Sequence, residues 1–495
     1  MNGTQQTCFD VIIVGAGISG INAAYRIQDQ LPGYSYAILE ARDDLGGTWD
    51  LFKYPGIRSD SDLFTFGFQF NPWSRDNPIA EGSAIKEYMH DTATKFGIDK
   101  HILYKHRLSS ANWSSEENTW SLVVDETEQT FTARYLIFGT GYYNYKDPLT
   151  AEIPDLDTFQ GQIVHPQFWP EDLQYKDKKI VIIGSGATAV TLLPNLAQHA
   201  ARVTMLQRSP TYILSLPNRT GNRWLSYILP STIYNKLQRI VWIYTTRIFF
   251  LFCQRFPNVS RWLLKLNVRK QLPSHIPYDP HFKPRYNPWD QRLCVCPDGD
   301  LFRSLRQGKA DVKTDTIRQV TKSGIILNSG EQLDADIIVT ATGLRLQIAG
   351  GSALSVDGKN IDVGDKYMWN GVMIQDLPNA AFVIGYTNAS WTLGADATAQ
   401  FVCRSLKKLE SRKSIAAVPR LKEKDAATLQ NRRLLNLNST YVSIAERALP
   451  KAADRGPWQP RDHYQKDMKF ALEGDIDTGL EFVQGSNLHL RLKMS

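Results

Sequence analysis

Twice in this chain a run of four branched apolar residues leads straight into a glycine-rich turn and then into helix-forming sequence. The first instance is Val11-Ile12-Ile13-Val14, then Gly15-Ala16-Gly17-Ile18-Ser19-Gly20, then a helical stretch over 21–31. The second is Ile180-Val181-Ile182-Ile183, then Gly184-Ser185-Gly186-Ala187-Thr188-Ala189, then a helical stretch over 190–199. A buried strand, a tight turn and a helix in that order open a dinucleotide-binding unit. The first glycine permits the turn, the second lets the backbone approach a pyrophosphate, and the third lets helix and strand pack closely. The helix N-terminus then faces the phosphates. Two such openings predict two doubly wound α/β units, each built on a parallel sheet.

The residues that follow separate the two ligands. After the first motif a second strand, Tyr36-Ala37-Ile38-Leu39, ends in Glu40, twenty residues beyond Gly20, where a carboxylate can accept the hydrogen bonds of a ribose. After the second motif the strand Arg202-Val203-Thr204-Met205-Leu206 ends in Gln207-Arg208. A base in place of the acid suits a ribose 2′-phosphate, and no carboxylate is there to repel it. The first site therefore predicts FAD and the second NADPH, with Gly15, Gly17, Gly20 and Glu40 serving one and Gly184, Gly186, Thr188 and Arg208 the other.

Each unit closes on a similar phrase, Leu136-Ile137-Phe138-Gly139-Thr140-Gly141 and Ile338-Val339-Thr340-Ala341-Thr342-Gly343. From first glycine to last the second unit is the longer, 159 residues against 126, so it carries an insertion. The excess falls in 218–280, which lacks nucleotide motifs and is densest in Ile240-Val241-Trp242-Ile243-Tyr244 and Ile248-Phe249-Phe250-Leu251-Phe252. Arg239, Arg247 and Arg255 interrupt that run, and no stretch approaches the ~20 apolar residues that span a bilayer. Two readings stand: a helical core element or substrate lid, and a peripheral contact with a membrane.

Composition narrows the class. With 42% hydrophobic and 22% charged residues, disorder cannot describe the whole. A formal charge of +7 over 495 residues is too mild for a nucleic-acid footprint. Five scattered cysteines supply no disulfide framework and no secretory signal is recognisable, which together predict a cytoplasmic setting. Cys294-x-Cys296 has the wrong spacing for a metal pair and is expected to be structural.

Between the motifs lies Phe159-Gln160-Gly161-Gln162-Ile163-Val164-His165-Pro166-Gln167-Phe168-Trp169-Pro170, and ahead of it Gly46-Gly47-Thr48-Trp49, Tyr54-Pro55-Gly56 and Asp60. Together these resemble the fingerprints of type I Baeyer–Villiger monooxygenases, with the detailed phrasing most similar to the ethionamide-activating branch. The resemblance covers nearly the whole chain. It implies an FAD domain made of 1–145 and 346–495, an NADPH domain made of 146–217 and 281–345, and a helical insertion over 218–280. It adds flavin contacts from Gly47, Thr48, Trp49 and Asn388, and an active-site pair, Arg292 steadied by Asp60. His165 is read as a linking residue and not as an acid or base. The implied function is conversion of small hydrophobic ketones to esters by NADPH and O2 through a C4a-peroxyflavin, with oxidation of thioethers or thioamides beside it. An N- or S-oxygenase without ester formation, and a membrane-associated flavin redox sensor, are the alternatives.

Overall fold

Both apolar runs become central strands flanked by parallel neighbours, as four consecutive buried residues require when helices cover both faces. The computed structural model describes residues 7–125, 129–221 and 223–484. In the larger sheet Cys8–Val14 lies between Tyr36–Leu39 and Thr130–Phe138, parallel to both. Its far side continues through the antiparallel strands Thr119–Val124 and Leu108–Ser114. Ala353–Val356 and Ala380–Phe382 join the same sheet, so the chain comes back to its first unit after completing its second. The second sheet is parallel throughout, in the order Ala310–Thr314, Arg202–Gln207, Lys179–Ile183, Ile337–Thr340, Gln162–Val164. In both sheets the strand before the glycine motif lies at the centre, flanked by the strand that ends in the closing phrase. That is the topological switch point at which such sheets take ligands.

The helices begin three residues earlier than the apolar periodicity suggests, at Ile18 and Ala187 instead of 21 and 190. The cause is steric. Gly20 sits inside the first helix where a Cβ would fall 1.9 Å from the Gly15 carbonyl oxygen, and Gly139 from the closing phrase packs against Gly20 in turn. Gly15 itself has φ +99°, a backbone region that disfavours side chains. The second helix stops at Leu196 with Pro194 in its last turn, short of the expected 199.

The chain crosses between the units twice, and the crossings are paired. Tyr143 and Leu346 form an antiparallel bridge, with Asn144 N–H donating to Arg345 O (2.8 Å) and Gln347 N–H to Tyr142 O (3.0 Å). Within 218–280 lie the helices Ser231–Arg255 and Pro257–Arg269. The helix Trp391–Ser411 packs along Ile18–Gln30, so the late part of the chain covers the first glycine motif.

Gly20→Ala should force the first helix off its strand. Overpacking of this kind costs about 1–3 kcal/mol. Denaturant unfolding together with the flavin content of purified protein measures it, and the expected result is a lower midpoint with substoichiometric flavin.

Candidate functional site

At the first motif Gly17 is the N-cap of the helix Ile18–Gln30 and no side chain caps it. Its exposed N–H groups therefore remain for an anion. Gly47 lies directly opposite, and a Cβ on Gly47 would come within 3.2 Å of the Gly17 Cα. Gly47, Thr48 and Trp49 are half-buried on this wall, with Thr48 Oγ1 3.1 Å from Tyr145 Oη and Trp49 edge-on to Phe66. Glu40 is buried and aimed back at the turn: Ala16 N–H donates to Oε2 (2.7 Å) and Arg42 N–H to Oε1 (2.9 Å). Burial pushes its carboxyl above the usual range against those hydrogen bonds. Asn388 stands half-buried in the turn before the helix Trp391–Ser411, whose Trp391 Nε1 donates to Ser19 Oγ (2.8 Å). The close backbone approach, the uncapped helix and the held carboxylate fit the pyrophosphate and ribose of FAD.

The second motif repeats the device. Gly184 has φ +136° and a Cβ there would meet the Ala341 carbonyl oxygen at 2.2 Å, whereas a Cβ on Gly186 would meet nothing within 4 Å. Gly186 is likewise an N-cap without a side-chain cap. The uncapped helix end is open, as an anion site requires, and Arg208, exposed, follows the next strand and reaches Thr440 Oγ1 only at 3.5 Å. These residues fit NADPH. Thr188 lies beside the buried Tyr54 hydroxyl. A Cβ on Gly56, φ +76°, would strike the Asn195 side chain at 1.9 Å. The Tyr54-Pro55-Gly56 stretch thus docks the first unit onto the helix of the second motif.

Arg292 precedes the strand Cys294–Pro297, on a loop that Trp289 fixes by packing its ring edge-on to Phe249 and Phe250 of the long helix. Protein crowds its guanidinium, yet the residue is exposed to solvent, so it faces an open cleft. Nη2 donates to Tyr142 Oη at 2.8 Å. Tyr142 does most to hold the Arg292 pKa above the ordinary guanidinium value, burial opposes it, and Tyr441, Tyr143 and Asp60 add to it in that order. The Tyr441 hydroxyl, close enough to Arg292 to interact with it, is pushed up to about 12 by burial. Tyr142 in turn stacks on Trp391 with ring centroids 4.9 Å apart and touches Tyr143 Oη at 3.0 Å.

Asp60 and Arg292, read together as an active-site pair, are close enough to act on each other electrostatically. Among the described residues no ion pair within 4.0 Å joins them. The guanidinium donates to a phenol, and Asp60 acts on it through space. Burial raises the Asp60 carboxyl above its usual range, while Arg292 and then Arg58 pull it down. Arg58 is ion-paired to Asp300 and leaves Nε and Nη2 buried without a partner. The tyrosines were not anticipated. Tyr142 follows the closing Thr140-Gly141, which could have marked it, but nothing local marks Tyr441.

His165 accepts from Gln167 N–H at Nδ1 (3.2 Å), burial lowers its pKa, and Gln167 Nε2 donates to Asn144 O (2.8 Å) in the crossing. The fingerprint is thus an edge strand and its link to the hinge. Cys294 and Cys296 are buried strand residues, and burial pushes the Cys294 thiol up to about 12, which keeps it protonated. Arg239 and Arg247 turn inward: Arg239 Nη1 donates to Phe64 O (3.1 Å) and Gly67 O (2.8 Å), and Arg247 pairs with Asp462 at 3.7 Å.

Residues 9–350 match the flavin-binding monooxygenase-like family. The FAD-containing monooxygenase EthA of Mycobacterium tuberculosis strain H37Rv is 46% identical over 486 residues, covering 96% of this chain and 98% of that one. Among solved structures, an oxidised steroid monooxygenase bound to NADP superposes with a TM-score of 0.78 at 19% identity, covering 97% of this chain and 100% of the other. An open cyclohexanone monooxygenase gives 0.73 at 20% identity, covering 96% and 100%. At such identities the structural likeness is one of fold, and that fold is the expected pair of dinucleotide units.

Asp62, two residues beyond Asp60, caps the helix Leu63–Phe66 by accepting from Thr65 N–H (2.8 Å) and Thr65 Oγ1 (2.7 Å). Burial nevertheless raises its pKa from 3.8 to about 6. The folded state therefore holds a proton that the unfolded chain releases. That contribution to stability is fully present below pH 3.8 and is lost as pH rises through 6. Asp62→Asn removes the titration, so wild-type stability relative to the variant should fall by about 3 kcal/mol between the two limits. Denaturant unfolding of both proteins across that range checks it.

Proposed function

The chain belongs to the flavin-binding monooxygenase-like family, and from that premise we propose that it inserts an oxygen atom beside a ketone carbonyl to give an ester, and that it also oxidises thioethers or thioamides. It is an FAD-containing, NADPH- and O2-dependent monooxygenase. The chemistry that bound FAD supplies is acceptance of hydride from NADPH and activation of O2. In this proposal 1–145 and 346–495 hold the FAD, 146–217 and 281–345 hold the NADPH, and 218–280 forms the wall of the cleft. Gly15, Gly17, Gly20, Gly47, Thr48, Trp49 and Asn388 line the flavin, with Glu40 on its ribose. Gly184, Gly186 and Thr188 hold the NADPH pyrophosphate, with Arg208 on the 2′-phosphate.

The observation that carries the reading is Arg292, a full positive charge facing an open cleft with a phenol for its hydrogen-bond partner. A carbonyl oxygen gains negative charge as its carbon is attacked, and a preorganised guanidinium stabilises that charge without reorganising. Tyr142 fixes the direction of the N–H donor, and Tyr441 stands close to it. Being neutral, they leave the charge uncancelled. Asp60 adds a distant negative charge that lowers the cost of keeping the guanidinium there. Contact of the insertion with a membrane belongs to the same proposal and is argued below.

Arg292→Ala should keep its FAD and still oxidise NADPH while ester formation falls roughly a hundredfold to a thousandfold, about 2.7–4 kcal/mol. Gas chromatography of the ester alongside a peroxide assay reads both, and near wild-type ester yield would show Arg292 to be structural. Asp60→Asn should cost less, since the arginine keeps both phenols.

Arg208→Ala should raise KM for NADPH about tenfold to a hundredfold, as loss of a charge-assisted contact predicts, and leave KM for NADH nearly unchanged. Steady-state kinetics with both nicotinamides separates the outcomes.

A further inference from the structure

The helix Ser231–Arg255 is apolar on two opposite sides. Its inner side buries Tyr234, Gln238 and Cys253 and stacks Trp242 on Phe64. Its outer side presents Ile233, Ile240, Tyr244, Ile248 and Leu251 to solvent, with Ile248 63% exposed. At 100° per residue those five fall within an arc of about 80°, facing away from the buried set. A helix packed on a soluble protein normally turns polar residues outward. The segments on either side continue the pattern: Tyr227 is 77% exposed in the turn before, and Trp262 57% in the helix after. A contiguous apolar surface of this kind marks a contact site.

Charge identifies what it contacts. No Asp or Glu occurs anywhere from 178 to 278. Residues 218–280 hold ten lysines and arginines against the single Asp279, a surplus of nine, so with +7 overall the remaining residues carry a net −2. Arg239 and Arg247 are committed inward, but Lys236, Arg255, Arg269 and Lys270 are exposed beside the apolar face. A symmetric interface with a second copy would set this basic segment against itself and be repelled. An anionic lipid surface satisfies both features, because apolar side chains enter the boundary between headgroups and acyl chains while lysine and arginine meet the headgroups. Among the described residues no helix is long and apolar enough to cross a membrane.

We propose that the outer face of this helical insertion docks the enzyme on the surface of an anionic bilayer, lying in it without spanning it. The docking is independent of which substrate is oxidised.

Flotation of the holoenzyme with phosphatidylcholine vesicles, with and without phosphatidylglycerol, tests it. The wild type should float with the mixed vesicles at low salt, and much less with phosphatidylcholine alone or at high salt. Tyr227→Ser combined with Tyr244→Ser and Trp262→Ser should stay at the bottom while retaining its flavin. Arg269→Glu with Lys270→Glu should lower the partition coefficient at least about tenfold. NADPH oxidation in vesicle-free buffer should be unchanged in both variants, which reads the catalytic proposal separately. A wild type that stays at the bottom with mixed vesicles, or a triple variant that floats like the wild type, overturns the docking. So does sedimentation showing a wild-type dimer that the triple variant loses, which would assign the face to a second copy.

Discussion

Arg292 is a guanidinium crowded by protein yet open to solvent, oriented by the Tyr142 hydroxyl, and the rest of the molecule is arranged to make that tolerable. Burying a charge without a contact partner is costly. Here the cost is limited because the side chain is open to the cleft, because Tyr142 accepts its hydrogen bond, and because Tyr441 and Asp60 are close enough to be felt. The hydrogen-bonding needs of the arginine are met while its charge stays available, which a carboxylate in contact would not allow. Each contributor comes from a different part of the chain: the first crossing, the C-terminal segment, the stretch after the Tyr-Pro-Gly turn, and a loop braced by the insertion through Trp289.

Those parts can converge only if the two nucleotide units keep a fixed relation, and several contacts serve that relation. The paired crossings at Tyr143 and Leu346 limit how the units can twist. Gly56 and Tyr54 clip the first unit to the helix of the second motif. Gln167 ties the fingerprint to the crossing through the Asn144 carbonyl. Tyr142 then transmits position in the other direction, by stacking on Trp391, which hydrogen-bonds Ser19 at the flavin motif. Packed rings and a hydrogen bond thus join Arg292's partner to the first glycine motif.

What the sequence made legible follows from how local each requirement is. The glycine motifs, Glu40 and the closing phrases could be read because each answers a steric or hydrogen-bonding demand within one strand-turn-helix unit. The helix starts were misplaced by three residues because apolar spacing reports where a helix packs, and Gly20 packs without a side chain. The Asp60–Arg292 pair was read from a pattern of residue types, and such a pattern carries no distances. Tyr441 was invisible because its partner lies 149 positions earlier. The arginines of the long helix show the same limit, since their spacing gives angles but cannot say that Arg239 would reach the carbonyls at the end of a short helix.

The charge pattern carries the argument one step beyond the cofactors. A ribose 2′-phosphate asks for one base near Arg208 and the exclusion of acids within roughly a Debye length, about 8 Å at physiological salt. A stretch of 101 residues free of Asp and Glu, from 178 to 278, is far longer than that demand requires. Its cost is mutual repulsion among the lysines and arginines, a pressure against the compact state that ordinary surfaces relieve with interspersed acids. Arg239 and Arg247 relieve part of it by turning inward to carbonyls and to Asp462. Lys236, Arg255, Arg269 and Lys270 do not, and they border the apolar face of the insertion. A surface that keeps unrelieved positive charge next to unburied apolar side chains is completed only by something both anionic and apolar, and a lipid headgroup layer over acyl chains is that combination.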